Sequence, residues 1–459
     1  MTRRFDALII GAGQAGPALA ARLTRAGKTV ALFERRGLGG ACVNDGCIPT
    51  KTLVASARVA HLARRAADFG VVAGPVSVDM AAVKARKDAV VAHSIGNLTG
   101  WLEGMAGLTL VFGDARFNGP RTVNVDGEIF EGEKVFINVG GRSFTPDWPG
   151  LSDVPYLTNS TMMQVDFLPE HLIVAGGSYI GLEFAQMYRR FGSKVTVLEY
   201  ADRVVSREDV EVSQTLTTLL EAEGLVVRTG VRDIAVSSNR DGQVRLDFRI
   251  DGKSTHVEGS HLLLAVGRRP NTDGLGLESA GVATDARGFI TVDDHLRTSA
   301  EGIWALGDVH GRGAFTHTSW NDYEIVAANL LDGQDRRITD RVPAYALFTD
   351  PPLGRVGMSE AEARASGRPV LVATYPMSRV GRAKERGETG GFMKILVDAG
   401  TDRILGASLL CIEGDEIVHS LLNLMAADAP VEVLRQITPI HPTVSELIPT
   451  LVSHLRPLE

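Results

Sequence analysis

Residues 6–34 read DALIIGAGQAGPALAARLTRAGKTVALFE, a strand, a glycine turn, a helix and a second strand in unbroken succession. In a G-x-G-x-x-G turn, bare backbone lets a pyrophosphate approach, and the N-terminus of the following helix supports its charge. Gly11, Gly13 and Gly16 fill the three glycine positions. Glu34 ends the second strand, where a carboxylate can accept hydrogen bonds from ribose hydroxyls. A lone G-x-G-x-x-G is weak evidence. Here strand, helix and terminal acid stand in register, and together they predict nucleotide binding.

The same pattern returns at 171–199 as HLIVA, GGSYIG, LEFAQMYRRFG and SKVTVLE. In both copies the acid lies 23 residues after the first glycine of the turn. The repeat predicts two βαβ units and therefore two nucleotide sites. The second turn keeps Gly176, Gly177 and Gly181 but has Ser178 at the middle position. Serine is small enough to leave the approach open, and its hydroxyl can contact phosphate. Glu199 favours NADH over NADPH, because a carboxylate repels a 2′-phosphate. The nearby Arg203 weakens that preference without reversing it.

Outward from the two units, residues 52–98 look helical, in the stretches LVASARVAHLARRAADF and MAAVKARKDAVVAHSIGNL. Residues 108–140 look like short strands ending in VFINVGG, and strand patterns after the second unit run to LLLAVGRRPN. A helix is expected at about 319–331. From about 342 the pattern turns to antiparallel-looking strands, VLVATYP, GFMKILVD and ILGASLL, followed by two helical stretches.

At 459 residues the chain exceeds one ordinary core. Its 50 glycines stand well above the usual share of roughly 7%, as folds with many tight turns and close backbone approaches require. A net charge of −7 without a long basic run argues against nucleic acid as a partner. No apolar stretch has the length of a membrane span. MTRRFDALIIGAG superficially resembles a signal peptide, but its short apolar run enters a glycine turn without a cleavage site. The expected setting is cytoplasmic.

Only three cysteines occur, Cys42, Cys47 and Cys411. That is too few for a stapled secreted domain. Cys411, in GASLLC, reads as an inert core residue. GGACVNDGCIPTK, residues 39–51, is the most specific stretch. Five residues of regular helix advance about 7.5 Å, beyond the usual disulfide Cα separation of up to roughly 6.8 Å. The segment must therefore depart from a regular helix, and Asn44 and Gly46 permit it. The helix continuing through TLVASARVAHLARRA presents its N-terminus to the thiols, which with Lys51 favours thiolate. A metal site is disfavoured, since two cysteines five apart lack partner ligands.

With this motif the chain closely resembles, over essentially its whole length, the class I flavin-dependent pyridine nucleotide–disulfide oxidoreductases. Glutathione reductase, lipoamide dehydrogenase and mercuric reductase are members. GAGQAG with Glu34 resembles the family's FAD site, GGACVNDGCIPTK its redox motif, and GGSYIGLEFA its nicotinamide-nucleotide motif. AVGRRPN with Gly267 resembles the connector, ALGDV the second flavin motif, and HPTVSE the C-terminal signature. The resemblance implies an α/β fold with two Rossmann-like domains, for FAD and NAD(P), plus a C-terminal α+β dimerisation domain. The expected boundaries are 1–150 and 272–341 for the two parts of the FAD domain, 151–271 for NAD(P) and 342–459 for dimerisation.

The resemblance also implies roles. Cys47 faces the flavin as the charge-transfer thiolate, Cys42 is the interchange thiol, and Lys51 pairs with Glu183 beside the flavin. Tyr179 covers the nicotinamide pocket, and Asp308 binds the ribityl chain. His441 and Glu446 act as an acid–base dyad across a two-fold interface, on the other subunit's cysteines. A neutral imidazole can take a proton from one thiol and return it to another, with a carboxylate fixing its tautomer. The homodimer is then the catalytic unit.

Two departures bear on chemistry. Asp45 stands where the family commonly has an uncharged residue, and turned toward the thiols it would raise their pKa. INVGG replaces the commoner ATG-type segment. The acceptor stays open at this level between a small disulfide, a metal ion or a quinone, with dihydrolipoamide dehydrogenase as an alternative. FTHTSWNDYEIV, PPLGRVGMSEAEA and GASLLC resemble a bacterial mercuric-reductase-like subgroup linked to oxidant or metal stress, yet SHLRPLE carries no terminal cysteine pair. A redox sensor or complex subunit is the non-enzymatic alternative.

Overall fold

The computed structural model describes residues 2–239 and 242–458. Its first sheet contains β1 (Thr2–Ile10), β2 (Val30–Glu34), β3 (Leu108–Phe112), β4 (Arg116–Gly119), β5 (Thr122–Val125) and β6 (Glu128–Ile137). Their order is β3-β2-β1-β6-β5-β4, and Ile303–Ala305 adds a seventh strand, parallel to β6. Strands β1, β2, β3 and β6 run parallel, which explains why β2 is buried throughout and apolar in VALF: parallel strands are covered on both faces. Helices α1 (Ala15–Arg25), α2 (Gly40–Asn44), α3 (Cys47–Arg64) and α4 (Met80–Glu103) belong to this part of the chain.

The strand β7 (Gly141–Ser143) leaves this sheet and pairs antiparallel with Arg268–Pro270. Next come α5 (Asn159–Met162), β8 (His171–Ala175), α6 (Tyr179–Phe191), β9 (Lys194–Leu198), α7 (Val210–Ala222) and β10 (Val226–Arg228). A three-stranded antiparallel sheet follows in β11 (Arg232–Ser238), β12 (Val244–Ile250) and β13 (Lys253–Gly259). With β14 (His261–Leu264) the second parallel sheet closes in the order β10-β9-β8-β14. The sequence-predicted repeat is thus two real β–turn–α–β units, on separate sheets.

After β15 (Arg268–Pro270), α8 (Leu277–Ala280) and β16 (Ile303–Ala305), helix α9 (Thr316–Leu331) begins three residues earlier than expected. The rest is built on a six-stranded sheet of β17 (Ala344–Leu347), β18 (Leu353–Gly357), β19 (Val370–Pro376), β20 (Phe392–Asp398), β21 (Arg403–Leu410) and β22 (Arg456–Pro457). It is antiparallel throughout, as the sequence patterns suggest. Around it lie α10 (Glu360–Ala365), α11 (Gly381–Glu385), α12 (Gly414–Ala426), α13 (Glu432–Gln436) and α14 (Ile448–Ser453). Cys411 is fully buried among apolar residues, which pushes its thiol up to about 12. Among the described residues, no helix is long and apolar enough to cross a membrane.

Candidate active site

Both glycine turns are built by the same backbone device. Gly11 adopts φ +103° and Gly176 φ +113°, the left-handed side that suits glycine. A Cβ on Gly11 would stand 2.3 Å from the Asn138 carbonyl oxygen, and one on Gly176 would stand 2.3 Å from that of Ala265. The third glycine of each turn lies against the first: a Cβ on Gly16 or Gly181 would meet Gly11 O or Gly176 O at 2.4 and 1.9 Å. Glu34 accepts from Ala12 N at 2.9 Å and Arg36 N at 2.8 Å. Glu199 accepts from Gly177 N at 2.5 Å and Ala201 N at 2.7 Å. Each carboxylate oxygen retains lone-pair capacity for a ribose hydroxyl.

A single cavity of about 1580 Å³ connects the two turns. Its walls carry Gly11, Glu34, Gly176 and Glu199 at the nucleotide ends, and Cys42 and Cys47 between them. Gly267 lines it too, at φ +133°. So does Asp308, whose carboxyl is raised by burial, with the Arg268 guanidinium 3.9 Å away opposing the shift. A glycine cradle without room for a side chain, an acid at the ribose end and a cavity of this size fit a flavin dinucleotide at the first turn.

The cysteine segment breaks where its residues permit. Helix α2 ends at Asn44, Gly46 has φ −129° and ψ −114°, and Cys47 opens α3 as its first residue. A Cβ on Gly46 would be 2.8 Å from Ala41 O. The break brings the two free thiols close enough for each to act on the other's proton. Cys47 is brought down to about 6, mainly by the hydrogen bond from Cys42, then by Thr316 and the charge of Lys51, against the opposing effect of burial. Cys42 moves the other way, because its proton is held by Cys47 and because it is buried. Thr316 Oγ1 lies 3.1 Å from Cys47 Sγ.

Lys51 Nζ donates to both oxygens of Glu183 at 2.9 Å and sits 4.4 Å over the Phe348 ring. Glu183, one turn after Tyr179 on α6, also accepts from Phe348 N at 3.0 Å. Tyr179 lines the cavity and donates its hydroxyl to Glu208 at 2.8 Å. His441 and Glu446 are paired at 2.8 Å through Nδ1 and Oε2, but they do not line their own chain's cavity. His441 is 81% exposed, and Ile437 and Ile440 are exposed beside it.

Both departures acquire a structural account. Asp45 turns away from the thiols, accepting from Ser160 Oγ at 2.5 Å, and its carbonyl accepts from Asn159 Nδ2. It is not among the main causes of either thiol's shift. In INVGG, the buried Asn138 donates from Nδ2 to Gly11 O at 3.2 Å, and Gly307 packs close to its Oδ1, so this side chain braces both flavin motifs. Arg203 does not line the cavity; it bonds to Ser206 O and Asp202. The sequence reading passed over Thr316, Asn138, Glu208 and Tyr345. Only Asn138 had a local signal, its place in the atypical segment.

Residues 5–322 match the family model described as pyridine nucleotide-disulphide oxidoreductase, and residues 343–452 match that family's dimerisation domain. The chain belongs to the pyridine nucleotide-disulphide oxidoreductase family. It is 38% identical to the probable pyridine nucleotide-disulfide oxidoreductase RclA of Escherichia coli, over 98% of this chain and 99% of that one. It is 36% identical to a dihydrolipoyl dehydrogenase of Thermus scotoductus, with 97% and 96% covered, and 35% identical to a mercuric reductase of Streptomyces lividans, with 94% and 92% covered. A Cu(II) complex of the HOCl-induced flavoprotein disulfide reductase RclA from E. coli superposes with a TM-score of 0.89 at 36% identity, covering 98% of this chain and 99% of that one. As a member of this family, the protein is a flavoprotein disulfide reductase that uses FAD and a pyridine nucleotide, and its dimerisation domain makes it a homodimer.

Proposed function

We propose that this disulfide reductase takes electrons from NADH in preference to NADPH and delivers them through Cys42 and Cys47 to a small-molecule disulfide. The asymmetry of the two thiols carries this reading. FAD, held by Gly11, Gly13, Gly16, Glu34 and Asp308, supplies when bound a two-electron relay between nicotinamide and disulfide. Cys47, depressed to about 6, is a thiolate at neutral pH, stabilised by Cys42, Thr316 and Lys51. Cys42 is protonated and needs a base before it can attack. The partner subunit's His441, oriented by its Glu446, is the base we assign.

Deprotonated Cys42 attacks one sulfur of the acceptor, forming a mixed disulfide and expelling a thiolate that the imidazolium reprotonates. Cys47 then attacks Cys42 Sγ, which closes the internal disulfide and releases the second half as a thiolate that takes its proton from solvent. The net change is one acceptor disulfide reduced to two thiols. Within this reading, residues 1–150 and 272–341 form the FAD domain, 151–271 the nicotinamide domain and 342–459 the dimer domain.

The preference for NADH rests on Glu199 at the rim of the second turn and on the diversion of Arg203. Arg207 and Arg232 line the same cavity. Arg232 lies 3.7 Å over the Tyr200 ring, and it and Arg207 are the cations a 2′-phosphate would meet. A second reading, reduction of a metal ion such as Cu(II), is favoured by the RclA relative having been solved as a Cu(II) complex. A steady-state screen separates them: both nicotinamides against lipoamide, glutathione disulfide, other small disulfides, Cu(II), Hg(II) and quinones. We expect NADH with a disulfide to give the highest kcat/KM, and Cys42→Ser to abolish that turnover while sparing transfer to quinones. A large preference for NADPH refutes the Glu199 reading. Turnover with Cu(II) but no disulfide establishes the second.

A further inference from the structure

Between β17 and β18 the chain turns through Phe348, Thr349, Asp350, Pro351 and Pro352, within the stretch that matches the dimerisation domain. At Phe348 this turn reaches the wall of the cavity. Two helices from outside that domain hold it there. Asp350 N donates to Gln186 Oε1 and Gln186 Nε2 donates to Asp350 O, each at 2.8 Å. The Asp350 carboxylate accepts from Arg190 on α6 and from Arg58 on α3, both at 2.6 Å. Gln186 and Arg190 follow Glu183 by three and seven residues, and Arg58 follows Lys51 by seven. The anchors therefore lie on the helix faces that carry the Lys51–Glu183 pair. Gln186 and Arg190 are buried, where little water competes for their bonds.

Phe348 meets both members of that pair. Its amide donates to Glu183 Oε1 at 3.0 Å, and its ring lies 4.4 Å from Lys51 Nζ. A ring face attracts an ammonium through its quadrupole, more strongly away from water. Glu183 is buried, whereas a third of the Lys51 side chain is open to the cavity. Cys47 stands one turn before Lys51 on α3. The groups that act on its thiol are Cys42, Thr316, Lys51 and Glu183; the Lys51 charge favours the thiolate and the Glu183 charge opposes it. Where the ammonium sits thus decides what the sulfur feels. Close by, it outweighs the carboxylate; displaced, it leaves the carboxylate bare.

We propose that Phe348 is a positioning residue for the redox centre, its amide fixing the Glu183 carboxylate and its ring holding the Lys51 ammonium beside Cys47. The Asp350 anchors keep the turn, and with it Phe348, in place. The ion pair is then set by three segments, two of them the helices that carry it and the third from the dimerisation domain. The inference rests on the reading that Cys47 works as a thiolate against the flavin.

The test is the pH midpoint of the long-wavelength thiolate–flavin absorbance in the two-electron-reduced, flavin-loaded dimer, with Tm measured alongside. The thiolate is present above the midpoint and is lost as pH falls through it, so a displaced ammonium moves the midpoint up. Phe348→Leu keeps the amide and most of the apolar bulk but removes the ring. It is expected to raise the midpoint by about half a pH unit, the size of moving one charge by an ångström or two in partly buried surroundings. Phe348→Tyr keeps the ring face and should retain the wild-type midpoint. In a Lys51→Met background, Phe348→Leu should move the midpoint no further, because both changes act through one charge. Phe348→Met, which also lacks the ring, takes the place of Phe348→Leu should that variant not fold. An unmoved midpoint in the ringless variant, or an equal shift with and without Lys51, overturns the proposal even where Tm falls. A reduced wild type that lacks the band altogether overturns the thiolate reading, and the proposal with it.

Discussion

The two glycine turns share a backbone and differ in what covers them. Their first glycines have φ angles of +103° and +113°, their third glycines pack on the same carbonyl, and their acids accept from equivalent amides. Over the first turn lies the cysteine segment: Gly39 N donates to Ala12 O at 2.8 Å, and a Cβ on Gly40 would be 2.9 Å from Gly13 Cα. Over the second lies the loop that carries Glu208, where Val205 N donates to Gly177 O at 2.9 Å and Ser178 remains exposed. The same turn thus serves two purposes. A cover made of redox residues suits a resident group, and an open rim suits a nucleotide that comes and goes.

Gly11→Ala and Gly176→Ala should break this comparison most visibly. Each places a Cβ 2.3 Å from a carbonyl oxygen, at a φ that costs a non-glycine residue roughly 1–3 kcal/mol before any clash. Gly11→Ala is expected to purify without flavin and with a lowered Tm. Gly176→Ala is expected to keep its yellow colour yet resist reduction by NADH in an anaerobic titration. Flavin loss in Gly176→Ala, with retention in Gly11→Ala, would mean the turns had been assigned the wrong way round.

What was readable in the sequence follows from range. The turns and the 42–47 segment are dictated by residues within one local stretch: glycine where the backbone takes positive φ or lacks room, and Asn44 and Gly46 where a helix must break. Cys47 as the first residue of α3 follows from that break. The orientation of Asp45 was not readable, because the hydroxyl it binds belongs to Ser160, far along the chain. The same holds for Thr316 beside Cys47 and for Tyr345 beside Glu208: such contacts leave no periodicity or motif near either residue. The α9 start was placed at 319 because its first turn is fixed by a local bond from Phe315 N to Thr318 Oγ1, not by apolar spacing.

Exchanging the middle residues sharpens the contrast at a smaller scale. A Cβ on Gly13 would stand 3.2 Å from Asn138 Nδ2, and the Gly40 backbone closes the other side. Gly13→Ser should therefore weaken FAD binding, by about tenfold or more if one buried contact is lost. Ser178 is exposed with φ −100°, so Ser178→Gly should move the NADH dissociation constant by less than about threefold. Fluorescence titration of apoprotein with FAD, and of the loaded protein with NAD⁺, measures both. Equal sensitivity of the two turns would mean that their covers do not differ in the way described.

The smallest effect probes what the first turn's cover does for the thiols. Thr316 touches Cys47, and removing its hydroxyl with Thr316→Val takes away one stabilising hydrogen bond from the thiolate while Cys42 and Lys51 remain. A charge-assisted bond corresponds to about one pH unit of pKa. Because Cys47 is depressed to about 6, its thiolate is present above that pH and is lost as pH falls through it; in the variant the loss begins nearer 7. The long-wavelength thiolate–flavin absorbance of the two-electron-reduced protein reports this midpoint directly. Thr316→Ser should restore it, since the hydroxyl and not the methyl makes the contact. NAD⁺ affinity should stay unchanged in both variants, because Thr316 lies with the thiols and not on the second turn. A midpoint that does not move in Thr316→Val would leave Cys42 and Lys51 as the sole stabilisers of the thiolate.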